Sequence, residues 1–274
     1  MTLLLHLSIV LLIGASLGFF GGLFGIGGGI IAVPLFALGF GMDQALAQGT
    51  ALVLMVPNLL LGWWRYHQRH PMPWRAICVI ALSGTLTTWL IARVATRLDP
   101  QLLRWIFSAF LALLALRLLV NAKQQACQQE RRLNIQVLPL VGLVGGCSMG
   151  LLGIGGGLLA GPLLSGGWLG QRQTTAQGLS LALVAPSSVV ALATYAQNQR
   201  VDWTLGLPMA LGGLLTVSAG VTLAHRLPER PMRISFAWLM LAAAHRGRIG
   251  PTGKARPRVR TRPPTPGATP NRAG

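Results

Sequence analysis

Two glycine clusters are places where the backbone itself could do chemistry. Gly25-Ile26-Gly27-Gly28-Gly29 and Gly153-Ile154-Gly155-Gly156-Gly157 each set three consecutive glycines inside an apolar stretch. Glycine runs discourage helix, and unwound backbone at membrane depth persists only inside protein or beside a wet cavity. The freed N–H groups, followed by a helix N-terminus, would offer donors and partial positive charge to an anion. A dinucleotide-binding loop would instead need a preceding strand and an acidic residue ~20 positions on. The flanks here are apolar, and Asp43 has no counterpart in the second copy. Close helix packing is the competing use, and Gly14, Gly18 and Gly22 have its small-xxx-small spacing.

Uncharged hydrogen-bonding groups follow each cluster. Gln48-Gly49-Thr50 in the first half answers to Gln177-Gly178 with Ser180 in the second, and Pro57-Asn58 answers to Pro186-Ser187-Ser188. Amides and hydroxyls can hydrogen-bond oxyanion oxygens, or can tie helix to helix. The prolines Pro34, Pro57, Pro162 and Pro186 would free carbonyls and bend helices, making them candidate hinges.

Other chemistries find little support. Gly146-Cys147-Ser148-Met149-Gly150 fits the G-x-S-x-G nucleophile pattern, but Phe20 replaces Ser148 in the first copy. The later histidines, His225 and His245, lie outside the apolar spans, so an intramembrane hydrolase is a poor alternative. His67 and His70 stand in a basic loop without carboxylate or thiol companions and read as solvated, not as metal ligands. Cys78, Cys127 and Cys147 have no metal or redox spacing and read as buried small hydrophobes. No Asp or Glu falls in the middle of an apolar segment, so carboxylate sites for protons or cations are missing. The expectation is a small anionic ligand, with no catalytic residue, metal, cofactor or nucleic acid. Arg93 and Arg117 lie near span ends and are expected to snorkel.

The elements that must position these residues are membrane helices. The chain of 274 residues is 52% hydrophobic and 10% charged, against about 25% charged in soluble domains, so it lacks polar surface for a water-facing globule. Apolar segments run over 3–24, 44–64, 76–96, 102–120, 137–152, 173–196 and 203–224. Shorter ones at 28–41 and 156–169 suit half-helices after the glycine clusters. Polar loops are expected at Arg65–Arg75, Asn121–Gln136, Gln197–Asp202 and His225–Pro231. An uncleaved first span begins the chain, since no basic n-region precedes it.

The chain is an internal duplication. Gly18, Gly22 and Pro34-Leu35 recur as Gly146, Gly150 and Pro162-Leu163. Tyr66, Gln68 and Trp74 recur as Tyr195, Gln197 and Trp203, and Arg104 and Phe107 as Arg233 and Phe236. The domain reading is a first repeat over 1–120, a polar linker over 121–136 and a second repeat over 137–244. A basic Pro/Arg/Gly-rich tail occupies 245–274. Two homologous membrane halves are a common transporter architecture, with the substrate where they meet.

Eight of the 23 cations lie after residue 245, in that tail, leaving fifteen against five acids before it. From Met232 to Ala244 a helix reaches only ~20 Å at ~1.5 Å per residue, short of a ~30 Å hydrocarbon core. The reading here is a frameshift near codon 245 that removes the end of the last span. The alternative is a disordered tail that binds anionic headgroups or RNA.

At G-x-x-G-x-G-G-G…P, occurring from Gly22 to Pro34 and from Gly150 to Pro162, with Ala47-Gln48-Gly49-Thr50-Ala51 and the Tyr-to-Trp spacing, the sequence resembles the TauE/SafE sulfite exporter family. The resemblance covers residues 1 to about 244. It implies an all-α integral membrane bundle of about eight spans from two halves, with glycine-broken half-helices, in a bacterial inner membrane. It also implies a non-enzymatic permease for sulfite, sulfonates or related organic anions, without a prosthetic group. Alternating access between the repeats would centre on Gly25, Gly27–Gly29, Gly153, Gly155–Gly157 and the Gln-Gly segments. The lipid bilayer is the other partner. Coupling ion, transport direction and homo-oligomerisation stay open, and a non-transporting membrane partner protein is the other class. Four crossings per half would make the halves parallel and five would invert them. Ten crossings put the basic loops at 65–75, 121–136 and 225–233 on one side, whereas eight put the third outside.

Overall fold

A computed structural model describes residues 2–24, 29–69, 72–120, 136–153, 159–160, 163–164 and 173–224. Among them the chain is helical. The first repeat forms α1 (Thr2–Phe24), α2 (Gly29–Pro34) running into a π-helical segment (Leu35–Gly39), α3 (Gln44–Arg69), α4 (Trp74–Ala95) and α5 (Pro100–Val120). The second forms α6 (Leu138–Leu152), α7 (Gln173–Gln197) and α8 (Trp203–Ala224). The tail over 245–274, all of the polar linker over 121–136 but Gln136, and the candidate last span lie outside the described residues.

Local chemistry explains the ends. Asp43 caps α3 by accepting from the amide of Leu46 at 2.8 Å, and Asp202 caps α8 by accepting from those of Thr204 and Leu205. Asp99-Pro100 opens α5 with proline at the first helical position. α6 stops at Gly153, whose φ of 62° is the left-handed closure that glycine supplies. The three acids among the described residues thus stand at helix starts, not inside spans.

Gln44–Trp64, Trp74–Ala95 and Gly178–Gln197 are long and apolar enough to cross a bilayer. Leu12, Leu82, Leu113 and Leu215 lie largely exposed on the outer faces, which suits a surface solvated by lipid. This is an all-α membrane bundle.

Three expectations are corrected. α3 does not stop before Arg65 but continues to Arg69. His67 is half-buried, stacked on Trp63 and edge-on to Trp74, not a solvated loop residue. Cys78 and Cys147 are exposed on α4 and α6 instead of buried; in a lipid-facing bundle an apolar thiol has no need of the core. Arg93 lies with its guanidinium 3.9 Å from the centre of the Trp89 ring.

The repeats interlock. α1 of the first packs along α8 of the second, and α6 of the second packs along α4 of the first. Glycines allow both approaches: a Cβ on Gly18 would collide with Gly213, and one on Gly146 with Gly84. These two contacts are repeat equivalents of each other, as are Leu54 against Gly213 and Leu183 against Gly84. The result is two matching three-helix bodies, α1–α3–α8 and α4–α6–α7, each built from both repeats. One apolar cluster holds Leu54, Phe36 and Met209 with residues of α5; the other holds Leu183, Ile80 and Met149 together with Leu52, Met55 and Leu59 of α3, and so runs across the contact between the bodies.

The bodies meet where α3 and α7 run antiparallel, Gln48 facing Tyr195 and Gly62 facing Leu181. α1 runs parallel to α8 and α6 parallel to α4, so the halves are inverted. The starts of α3, α5 and α8 share one end of the bundle with Asp43. The ends of α3, α5 and α8 share the other with Arg69. The helices that precede the basic stretches at 121–136 and 225–233, α5 and α8, thus end on the same side as α3. The short 29–39 segment makes the return towards the Asp43 end.

Candidate functional site

The junction between the bodies is apolar over much of its length and polar where Gln48 meets Tyr195. Gln48, in the second turn of α3, is fully buried. Its Oε1 accepts from the Tyr195 hydroxyl at 2.9 Å, and that hydroxyl also lies 3.2 Å from the Gly150 carbonyl oxygen. Gly153 completes the cluster, with room for a Cβ only 3.2 Å from that of Gln48. The Gln48 Nε2 is buried without a partner. A buried donor left unmade is costly, so this nitrogen is an opening for an acceptor-rich ligand. The site gathers α3 from the first repeat with α6 and α7 from the second.

The neighbouring candidates are placed differently. Gly49 is pressed on the Arg200 carbonyl, leaving no space for a side chain. Thr50, fully buried, accepts from the Asp202 amide at 3.0 Å and so supports the start of α8. Asn58 lies about 15 Å along α3 from Gln48 at the helical rise. Its Nδ2 donates to the Leu54 carbonyl at 3.2 Å, while its Oδ1 is buried without a partner. Ser180 donates to the Ala176 carbonyl, Gly178 is buried, and Ser187 sits fully buried 3.5 Å from the Thr85 hydroxyl.

Gly29 opens α2 and fits against the Met55 sulfur. Gly25, Gly27, Gly28, Gly155, Gly156, Gly157 and Pro162 lie outside the described residues, as does the side chain of Gln177. Pro34 stands where α-helix passes into π-helix. Pro57 and Pro186 lie inside α3 and α7, which continue through them. Tyr195 was not among the residues singled out for the site. The available signal was that the chain's two tyrosines, Tyr66 and Tyr195, occupy matching repeat positions.

Residues 10–246 match the family model described as "Sulfite exporter TauE/SafE". The chain belongs to the TauE/SafE sulfite exporter family. A "Probable membrane transporter protein" of Xylella fastidiosa (strain 9a5c) is 30% identical over 232 residues, covering 80% of this chain and 86% of that protein. A "Probable membrane transporter protein" of Haemophilus influenzae is 25% identical over 256 residues, covering 85% and 95%. A probable membrane transporter protein of Methanocaldococcus jannaschii is 24% identical over 254 residues, covering 86% and 93%.

TauE/SafE membership makes this a membrane transporter. The G-x-S-x-G stretch is continuous helix inside α6, and the Ser148 hydroxyl, nearly buried, donates to the Gly145 carbonyl at 2.9 Å. No strained strand-to-helix turn presents it as a nucleophile.

Proposed function

We propose that this TauE/SafE protein is a secondary permease or exporter for small anions such as sulfite, sulfonates or related organic anions, crossing a bacterial inner membrane several times. The observation that carries the reading is the unpartnered amide nitrogen of Gln48, buried where the two interlocked bodies meet. An anion there would find a neutral donor and backbone close by at Gly153. The glycine clusters and Gln177 would add donors from each repeat.

Alternating access in this bundle is movement of one three-helix body against the other, not of the first repeat against the second. Separating the repeats would break the glycine crossings of α1 with α8 and α4 with α6, where backbones touch. Sliding along α3 and α7 leaves both crossings intact and rearranges the Gln48–Tyr195 contact.

The test is radiolabelled sulfite and sulfonate flux in proteoliposomes, comparing the chain with Gln48→Leu. Saturable flux, lost in the variant at equal reconstitution, is the expected result. No flux from the unaltered chain across a panel of small anions would overturn the permease reading, and normal flux in Gln48→Leu would overturn the site.

A further inference from the structure

We propose that the turn between α7 and α8, residues 198–202, is a gate over the Gln48 site, latched shut by the Asp43–Arg200 ion pair at one end of the bundle only. Its service in transport rests on the permease reading; its control of access to Gln48 does not.

Three contacts hold the turn on the start of α3. The Arg200 guanidinium donates to the Asp43 carboxylate at 2.9 Å. The Arg200 carbonyl lies against Gly49, where no Cβ would fit. The Asp202 amide donates to the Thr50 hydroxyl oxygen at 3.0 Å. Gln48 stands between these positions and is fully buried. The antiparallel register that sets Gln48 against Tyr195 sets Asp43 against Arg200, about one and a half turns nearer the end of α3. Along the α3–α7 junction, the turn therefore closes the way from the Asp43 end to Gln48.

The turn is also joined to the site it covers. The Arg200 amide donates to the Tyr195 carbonyl at 2.9 Å and the Gln199 amide to the Ala196 carbonyl at 3.0 Å, with Gln199 at φ 55°. These paired bonds close α7 as a left-handed C-terminal cap. Lifting Arg200 from Asp43 thus pulls on the residue whose hydroxyl holds Gln48. The latch can open readily, because the Arg200 and Asp43 side chains are 34% and 37% exposed and such pairs are weak.

The duplication does not repeat the latch. Asp43 and Arg200 correspond to Arg172 and Pro71, a pair without opposite charges. Thr50 and Asp202 correspond to Leu179 and Pro73, which have neither the hydroxyl nor the N–H. The matching place at the Arg69 end therefore has no such clamp, and the two ends of the junction are held unequally.

The experiment uses the full chain with Cys78, Cys127 and Cys147 replaced and Gln48→Cys introduced, in right-side-out and inverted membrane vesicles. The rate of reaction with a membrane-impermeant methanethiosulfonate is read from each side. Asp43→Asn breaks the ion pair while keeping a side-chain oxygen to cap α3, and Arg200→Gln breaks it from the other partner. Each should raise the rate from the Asp43 side about two- to fivefold, the share of one exposed pair in the opening equilibrium, and leave the rate from the Arg69 side no higher. Unchanged rates in both variants, or a rise from both sides, overturns the gate. The expected labelling without anion flux in the unaltered chain would sink the permease reading and leave the gate standing; flux with labelling indifferent to the pair would do the reverse.

Discussion

The hydroxyl of Tyr195 donates to Oε1 of Gln48 at 2.9 Å, joining residues 147 positions apart and tying the two interlocked bodies together at the polar part of their junction. Removing the hydroxyl in Tyr195→Phe should cost about 1 kcal/mol of stability. It should also lower anion flux, because the Gln48 amide loses the bond that orients it. Thermal melting in detergent and proteoliposome flux measure the two effects; unchanged values for both would remove Tyr195 from the site.

Gly146 meets the Gly84 carbonyl and Thr87, whereas a Cβ on Gly62 would meet only the Leu181 Cδ2, at 3.9 Å. Gly146→Val should therefore destabilise by roughly 1–3 kcal/mol through overpacking. Gly62→Ala should be neutral or gain about 0.5 kcal/mol from helix propensity. Melting temperatures of the two variants side by side check the contrast.

Gly153 holds φ at 62° beside Gln48. Gly153→Ala should cost about 1–2 kcal/mol from the left-handed backbone alone. It should also impair transport beyond what the lost stability explains, since its new Cβ presses on Gln48. Flux normalised to folded protein separates the two contributions.

Inversion of the halves has a topological consequence. In a chain with Cys78, Cys127 and Cys147 replaced, Asp99→Cys and Gln199→Cys should react with a membrane-impermeant maleimide from one side. Gln68→Cys should react from the other. Labelling of Gln68→Cys and Gln199→Cys from the same side would contradict the antiparallel pairing of α3 and α7.

The turn between α7 and α8 offers opposite changes in stability. Asp202→Ala removes the cap of α8 and should cost about 1 kcal/mol. Gln199, a non-glycine residue at φ 55°, should gain up to about 1 kcal/mol on change to Gly. Thermal melts distinguish the signs.

Helix positions were legible because apolar runs end at residues with strong local rules. Asp43, Asp99-Pro100, Asp202 and Gly153 mark boundaries by capping or by backbone freedom, which act over a few residues. The error at Arg65–Arg69 arose because polarity marks where the bilayer stops, while helix can continue beyond it. The cysteines were misplaced because apolar character alone does not separate a core face from a lipid face. Of the candidate site, Gln48 and Gly153 could be named from the duplication. That Thr50 spends its oxygen on the Asp202 amide and Ser180 its hydroxyl on the Ala176 carbonyl depends on side-chain geometry.

The amino-acid sequence by itself determined a helical membrane protein, its duplication, its family and the absence of acids within its spans, all properties of composition and order along the chain. Only the tertiary structure decided that the halves are inverted and exchange helices into two mixed bodies. That outcome depends on which glycine faces meet, Gly18 with Gly213 and Gly146 with Gly84. Each glycine is spaced alike in both repeats, and contacts between distant positions leave no mark on local periodicity.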